Sequence, residues 1–223
     1  MAFLYNIGIQ AYHLAIQLAA PFNEKAALLC KGRKEVWKKA AGIQRGEGRL
    51  VWFHAASLGE FEQGRPVIEA LKAAEPATQI LLTFFSPSGY EIRKNYTGAD
   101  YILYLPGDTR RNAVRLIEKF RPDAAVFIKY EFWFHYLNEL NKRNIPVYLI
   151  SAIFRPNQPF FKSWGKLHRR MLGCFKELFV QDGQSVELLK SIGIKNVRLT
   201  GDTRFDRVGC GPKHQMKQYH CSD

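Results

Sequence analysis

Leu50-Val51-Trp52-Phe53-His54-Ala55-Ala56-Ser57-Leu58-Gly59-Glu60 sets the fold class of this chain. Residues 50–53 are apolar without polar alternation, which is the pattern of a strand covered on both faces. Two alanines, a serine and a glycine follow and let the backbone turn sharply. Residues 61–74 then carry the apolar period of a helix. A buried strand running directly into a helix is the start of a βαβ unit.

The alternation continues outward along the chain. Residues 80–85 read as a second strand, 89–96 as a short helix and 101–105 as a third strand. Asp108 is the expected N-cap of a helix that runs to Phe120. Strands follow at 124–128, 146–150, 178–180 and 197–200. Helices ending near 143, spanning 163–172 and beginning after Asp182 separate them. The expected fold is therefore α/β, a doubly wound parallel Rossmann-like sheet over residues 49–208. Ligands of such sheets bind beyond the carboxyl ends of the strands. Those ends supply Ser57, Gly59 and Glu60; Ser86, Ser88 and Gly89; Lys129, Tyr130 and Glu131; Ser151 and Arg155; Asp182; and Gly201, Asp202 and Arg204.

With 223 residues, 47% of them hydrophobic, the chain can bury a substantial core. Its formal charge of +13 points to an anionic partner: nucleic acid, a membrane surface or a phosphorylated substrate. No aromatic stacking motif or groove-reading pattern supports nucleic acid, so that partner is not expected. Cys30, Cys174, Cys210 and Cys221 form no CxxC pair and fit a reducing compartment.

Residues 3–20 carry no charge, and their polar side chains Asn6, Gln10, His13 and Gln17 share one helical stripe. The rest of that helix is apolar and needs a membrane or the protein core as neighbour. Lys25, Lys31, Arg33, Lys34, Lys38 and Lys39 follow it. Basic residues beside an apolar helix favour an anionic cytoplasmic membrane face over a cleaved signal. Residues 1–22 are thus expected to form a membrane-associated helix at the interface. Residues 23–48 are expected to be a basic connecting segment, and 209–223 an irregular tail. Cys210, His214, His220 and Cys221 in that tail fit no common zinc spacing, so no metal is expected.

Glu60 has two readings. It is a first-turn glutamate complementing the helix dipole, or a carboxylate placed to accept a proton. Glu131, flanked by Phe132 and Trp133, sits in apolar company that raises a carboxyl pKa unless a cation pairs with it. Lys129 and Arg204 are the candidate partners, and each is equally readable as a solvated charge at the sheet edge.

Residues 52–60 resemble the W-x-H-A-A-S-x-G-E signature of the 3-deoxy-D-manno-octulosonic acid (Kdo) transferases. Ser86-Pro87-Ser88-Gly89 resembles the family's Ser/Thr-rich turn. Tyr130-Glu131-Phe132-Trp133 resembles its E-x-E-x-W segment, and residues 201–206 resemble G-N-x-K-F-D. The apolar start before basic residues is similar to the family's membrane anchor. The resemblance spans residues 1 to about 208 and implies the N-terminal, acceptor-binding half of a GT-B fold. It implies inverting transfer of Kdo from CMP-Kdo to a lipid A precursor (lipid IVA) in lipopolysaccharide core biosynthesis, without metal or cofactor, at the cytoplasmic face of the bacterial inner membrane. Glu60 matches the general base, and Glu131 and Arg204 match positions that stabilise the transition state. Ser57, Gly59, Ser86, Ser88, Gly89 and Arg155 are the expected acceptor contacts. The sequence departs from the pattern at Lys129, where the family has an acid, and at Arg204, where it has lysine. The C-terminal donor domain of the family is expected to be missing, leaving the isolated chain inactive or nearly so. The alternatives are a non-catalytic acceptor-binding remnant and another GT-B nucleotide-sugar transferase.

Overall fold

A computed structural model describes residues 2–201, so Arg204 and the 209–223 tail lie outside the described residues. Seven parallel strands form one sheet: β1 (Leu50–Ala55), β2 (Gln79–Phe84), β3 (Tyr101–Tyr104), β4 (Ala124–Ile128), β5 (Val147–Ala152), β6 (Glu177–Val180) and β7 (Val197–Leu199). Their order is β3-β2-β1-β4-β5-β6-β7. The direction of winding reverses between β1 and β4, which lie side by side with Val51 opposite Ala124 and His54 opposite Phe127. That reversal opens a crevice at the carboxyl ends of these two strands.

Helices cover both faces. Before the sheet come α1 (Ala2–Ala19) and α2 (Glu24–Gly42). The crossovers carry α3 (Leu58–Ala74), α4 (Pro87–Arg93), α5 (Arg110–Phe120), α6 (Phe134–Lys142), α7 (Lys166–Leu172) and α8 (Gly183–Ser191). All residues of β1, β2 and β4 are buried, as expected of strands sandwiched between helix layers. One face packs Trp52, Leu81, Phe127 and Leu149 with α5 and α6. The other packs Val51, Phe53, Ile80, Leu82 and Val126 with α3. Gly64 lets α3 settle on the sheet, since a Cβ there would come within 2.2 Å of Ile128.

One expectation about the N-terminal region is corrected. Residues 23–48 are not a mere connector: α2 buries Leu29, Gly32, Val36 and Ala40 against the body. The α1 helix is packed on the body along one side only. It turns Tyr5, Ile9, His13 and Ile16 partly inward, while Phe3, Leu4, Ile7, Leu14 and Leu18 remain exposed. Among the described residues no helix is long and apolar enough to cross a membrane.

Asp108 is also not the N-cap of α5. Thr109 takes that role, its side chain accepting from the Asn112 N–H at 3.2 Å. Asp108 instead serves the neighbouring helix. Its carboxylate accepts from the His135 N–H at 3.1 Å and the Tyr136 N–H at 3.2 Å. The Tyr5 hydroxyl also donates to Asp108, and its oxygen accepts from the Phe134 N–H at 3.3 Å. The residue preceding α6 is Trp133, which makes no side-chain capping bond. The orphan donors of the first turn are satisfied from two other elements instead.

Asp108 is 2% exposed, so its loss strands several buried polar groups. Asp108→Ala is expected to destabilise the domain by about 2–4 kcal/mol in urea denaturation. A loss below about 1 kcal/mol would mean that water replaces the cap.

Candidate active site

The crevice between β1 and β4 is built around one buried histidine. His54, near the end of β1, is fully enclosed. Its Nδ1 lies 3.0 Å from the Thr83 carbonyl oxygen and 2.9 Å from Thr83 Oγ1. Thr83 Oγ1 also accepts from Trp52 Nε1 at 2.8 Å, so β1 and β2 are stitched together by side chains as well as backbone. On the other side, His54 Nε2 lies 2.8 Å from Glu131 Oε2.

Glu131 comes from the loop after β4 and is 6% exposed. Trp133 Nε1–H donates to the same Oε2 at 2.7 Å and lies 3.1 Å from His54 Nε2. The expected partners of this carboxylate were Lys129 and Arg204. Among the described residues its partners are His54 and Trp133, and Arg204 lies outside them. The sequence signal for His54 was available, because it occupies the third position of the 52–60 motif.

The loop that carries Glu131 begins with an uncommon backbone. Lys129 has φ of 65°, the left-handed region that a non-glycine residue enters at a cost. Its N–H is held by the Ile150 carbonyl at 2.9 Å. The chain thereby leaves the sheet abruptly and folds Glu131 back toward His54. Ser151, at the corresponding level of β5, also has positive φ, 56°, where the register with β6 shifts.

Glu60 enters from the β1–α3 turn. Ser57 is extended at the N-cap of α3 and makes no capping bond with its side chain. Glu60 lies three residues on, and its Oε2 accepts from the Ala56 N–H at 2.6 Å. This is the reach-back of a capping box, offset by one residue. The helix-start reading of Glu60 is seen in this bond, and its carboxyl is also partly buried at the crevice. Burial and the nearby charge of Glu131 raise its pKa to about 6, against the opposing pull of the Ala56 N–H, His54 and Lys129. A carboxylate tuned upward like this is a better proton acceptor than an ordinary one and is still largely ionised near neutral pH.

The other expected contacts distribute unevenly. Ser86 precedes α4, its N–H bonded to the Ala56 carbonyl at 2.8 Å and its hydroxyl 2.8 Å from that of Ser88. The Ser86 turn therefore abuts the turn that carries Ser57 and Gly59. Gly89 has a packing role: a Cβ there would meet the Phe84 ring at 2.3 Å. Gly59 has open space around it. Arg155 bonds Asp182 at 2.9 Å and Gln184 at 3.3 Å beside the N-terminus of α8. The charges acting on Glu60 are Glu131, His54 and Lys129, whereas Arg155 acts on Tyr130. No group of His, Cys, Asp and Glu that could hold a metal occurs among the described residues.

Known proteins resemble this chain in fold and in sequence. UDP-N-acetylglucosamine 2-epimerase superposes with a TM-score of 0.55 at 17% identity, covering 78% of this chain and 53% of that one. The enzyme of that name from Methanocaldococcus jannaschii gives 0.54 at 18%, covering 71% and 47%. These likenesses concern the fold, a Rossmann-like unit matching about half of each epimerase chain. Among curated proteins, the 3-deoxy-D-manno-octulosonic acid transferase of Chlamydia trachomatis is 27% identical over 75% of this chain and 41% of its own length. That of Aquifex aeolicus is 29% identical over 70% and 40%. The chain therefore spans about two fifths of the length of these relatives. The family model for 3-deoxy-D-manno-octulosonic-acid transferase (kdotransferase) matches residues 31–207, which takes in the crevice and every element that builds it. The chain belongs to the 3-deoxy-D-manno-octulosonic acid transferases, a family of glycosyltransferases.

Proposed function

We propose that this domain provides the acceptor side and the general base of an inverting Kdo transfer from CMP-Kdo to a lipid A precursor. The observation that carries this reading is Glu60, a half-buried carboxylate with its pKa raised to about 6 at the switch point of the sheet. In the proposed step Glu60 takes the proton from an acceptor hydroxyl. The hydroxyl oxygen bonds the anomeric carbon of Kdo, and the bond to the CMP phosphate breaks, with CMP leaving on the electron pair. Ser57, Gly59, Ser86 and Ser88 line the adjoining turns and suit hydroxyl groups of the acceptor sugar. Glu131, held by His54 and Trp133, supplies fixed negative charge near the oxocarbenium-like centre. Arg204, outside the described residues, is given transition-state stabilisation in this reading on the family resemblance alone.

The same reading places the domain on the cytoplasmic face of an anionic bacterial inner membrane. Phe3, Leu4, Leu14, Leu18 and Phe22 are each more than half exposed, an apolar ridge left uncovered by the described residues. Lys25, Lys31, Lys34 and Lys38 are exposed on the helix that follows. An apolar ridge flanked by lysines is the pattern of a helix lying in the headgroup layer.

Transfer from CMP-Kdo to lipid IVA in detergent micelles, by the protein that carries this domain, tests the chemistry. Glu60→Gln is expected to lower kcat by about 10²-fold or more. Activity should fall as pH drops through about 6, because the protonated carboxyl cannot accept. In Glu131→Gln the like charge is gone, so the Glu60 pKa falls and the acid limb moves to lower pH. An acid limb that Glu131→Gln leaves in place would assign the limb to another group. For the membrane, flotation with phosphatidylglycerol vesicles should show about tenfold weaker binding when Leu14 and Leu18 are both replaced by Asp. Unchanged flotation would remove α1 from the contact.

A further inference from the structure

α1, α2 and the loop between β3 and α5 line a partly open cavity of about 210 Å³. His13, Gln17, Arg33, Lys34 and Asn112 present polar groups to it. Arg33 is the unusual member. Its guanidinium is partly buried, and burial pushes its pKa below the ordinary value. Among the described residues it forms no ion pair with a carboxylate, and the groups that counter the shift are Tyr12, Tyr136, Cys30 and Tyr104. Its Nε has no hydrogen-bond partner among the described residues, although the guanidinium is hydrogen-bonded with the Tyr12 hydroxyl. A buried cation without a counter-ion is costly, and an anion bound beside it would offset that cost.

The neighbours reinforce the point. Lys34 adds a second cation at the same cavity. The His13 ring packs where a Gly107 side chain would sit, with its Cε1 2.1 Å from an added Cβ, so the cavity wall is tightly closed on that side. Asn112 is oriented by a bond from its Nδ2 to the Gly107 carbonyl at 2.8 Å. The cavity also connects to the reaction crevice through stacked rings. Arg33 lies 4.8 Å over the Phe85 ring, and Phe85 stacks at 4.8 Å on Trp133, which donates to Glu131. On the outer side Tyr12 of α1 stacks on Phe85 at 6.0 Å.

We infer that the cavity around Arg33 is a binding subsite for a phosphate monoester. Two cations without a carboxylate favour a dianion over a singly charged group, and a planar guanidinium pairs well with phosphate oxygens. The subsite lies between the reaction crevice and the exposed ridge of α1. A headgroup phosphate could rest there while acyl chains follow the ridge and a sugar hydroxyl reaches Glu60. The inference rests on the proposed acceptor only for the lipid as source. Phosphate binding itself is measurable without any transfer.

Binding of inorganic phosphate is measured by titration calorimetry, and binding to vesicles of phosphatidic acid against phosphatidylglycerol by flotation. Arg33→Met is expected to weaken phosphate binding about tenfold to hundredfold and to abolish the preference for phosphatidic acid. Its binding to phosphatidylglycerol should persist, since the α1 ridge is intact. Gln17→Trp, which adds bulk to the cavity and keeps Arg33 in the chain, should have the same effect and guards against misfolding of the arginine variant. Phosphate and phosphatidic acid both binding through Arg33 would mean that the phosphate group suffices. A preference for phosphatidic acid that depends on Arg33, without measurable free phosphate binding, would identify the lipid as the source. Vesicle binding equal for the two lipids together with no phosphate binding, or phosphate binding that both variants retain, would overturn the inference. Loss of Kdo transfer with phosphate binding intact would count against the proposed reaction and not against this subsite.

Discussion

The carboxylate of Asp108 holds together parts of the chain that are far apart in sequence. It satisfies two N–H groups at the start of α6 and receives the hydroxyl of Tyr5 from α1. Those N–H groups cannot be left bare in an interior site, because an unpaired buried donor costs more than a made hydrogen bond gains. Trp133 cannot cap them, so the helix depends on a residue from another loop. The consequence reaches the crevice. Once the start of α6 is pinned, the short loop from Lys129 to Trp133 has little freedom, and Glu131 is delivered to His54. The N-terminal helix, through Tyr5, is part of the same device.

Around His54 the design is one of mutual satisfaction. Thr83, Trp52, Glu131 and Trp133 each meet the imidazole or one another at 2.7–3.1 Å. Polar groups enclosed this way are stable only as a complete set. The set fixes one carboxylate, Glu131, firmly. It leaves the other, Glu60, tied among the described residues by the Ala56 N–H and open to the crevice. The two acids thus differ in restraint and surroundings, and proximity of like charge raises the pKa of the freer one.

The basic character of the chain divides in the same way. Most lysines of α2 are solvated and act as a diffuse field. Arg33 is enclosed, stacked on Phe85 and lacks a carboxylate partner among the described residues. A net charge of +13 cannot distinguish these roles, because the count ignores whether each charge is hydrated.

The alternation of continuous apolar runs with helical segments determined the parallel sheet, because strands covered on both faces must be apolar throughout. The motif from Trp52 to Glu60 determined where the chain turns and put Glu60 at a helix start, since those are local properties of small residues and a helix terminus. Other features were decided only by tertiary structure. Asp108 precedes an apolar helical run and reads as its cap, yet the nearer Thr109 is available and the unmet donors of α6 lie across the loop. Residues 23–48 read as a basic connector because the buried side of α2 consists of four small or aliphatic residues among many charges. The partner of Glu131 could not be read from spacing, because His54 lies 77 positions away and meets it only when β4 is inserted beside β1. Local periodicity reports which face of an element is apolar. Which polar groups complete one another depends on how strands distant in sequence are brought side by side.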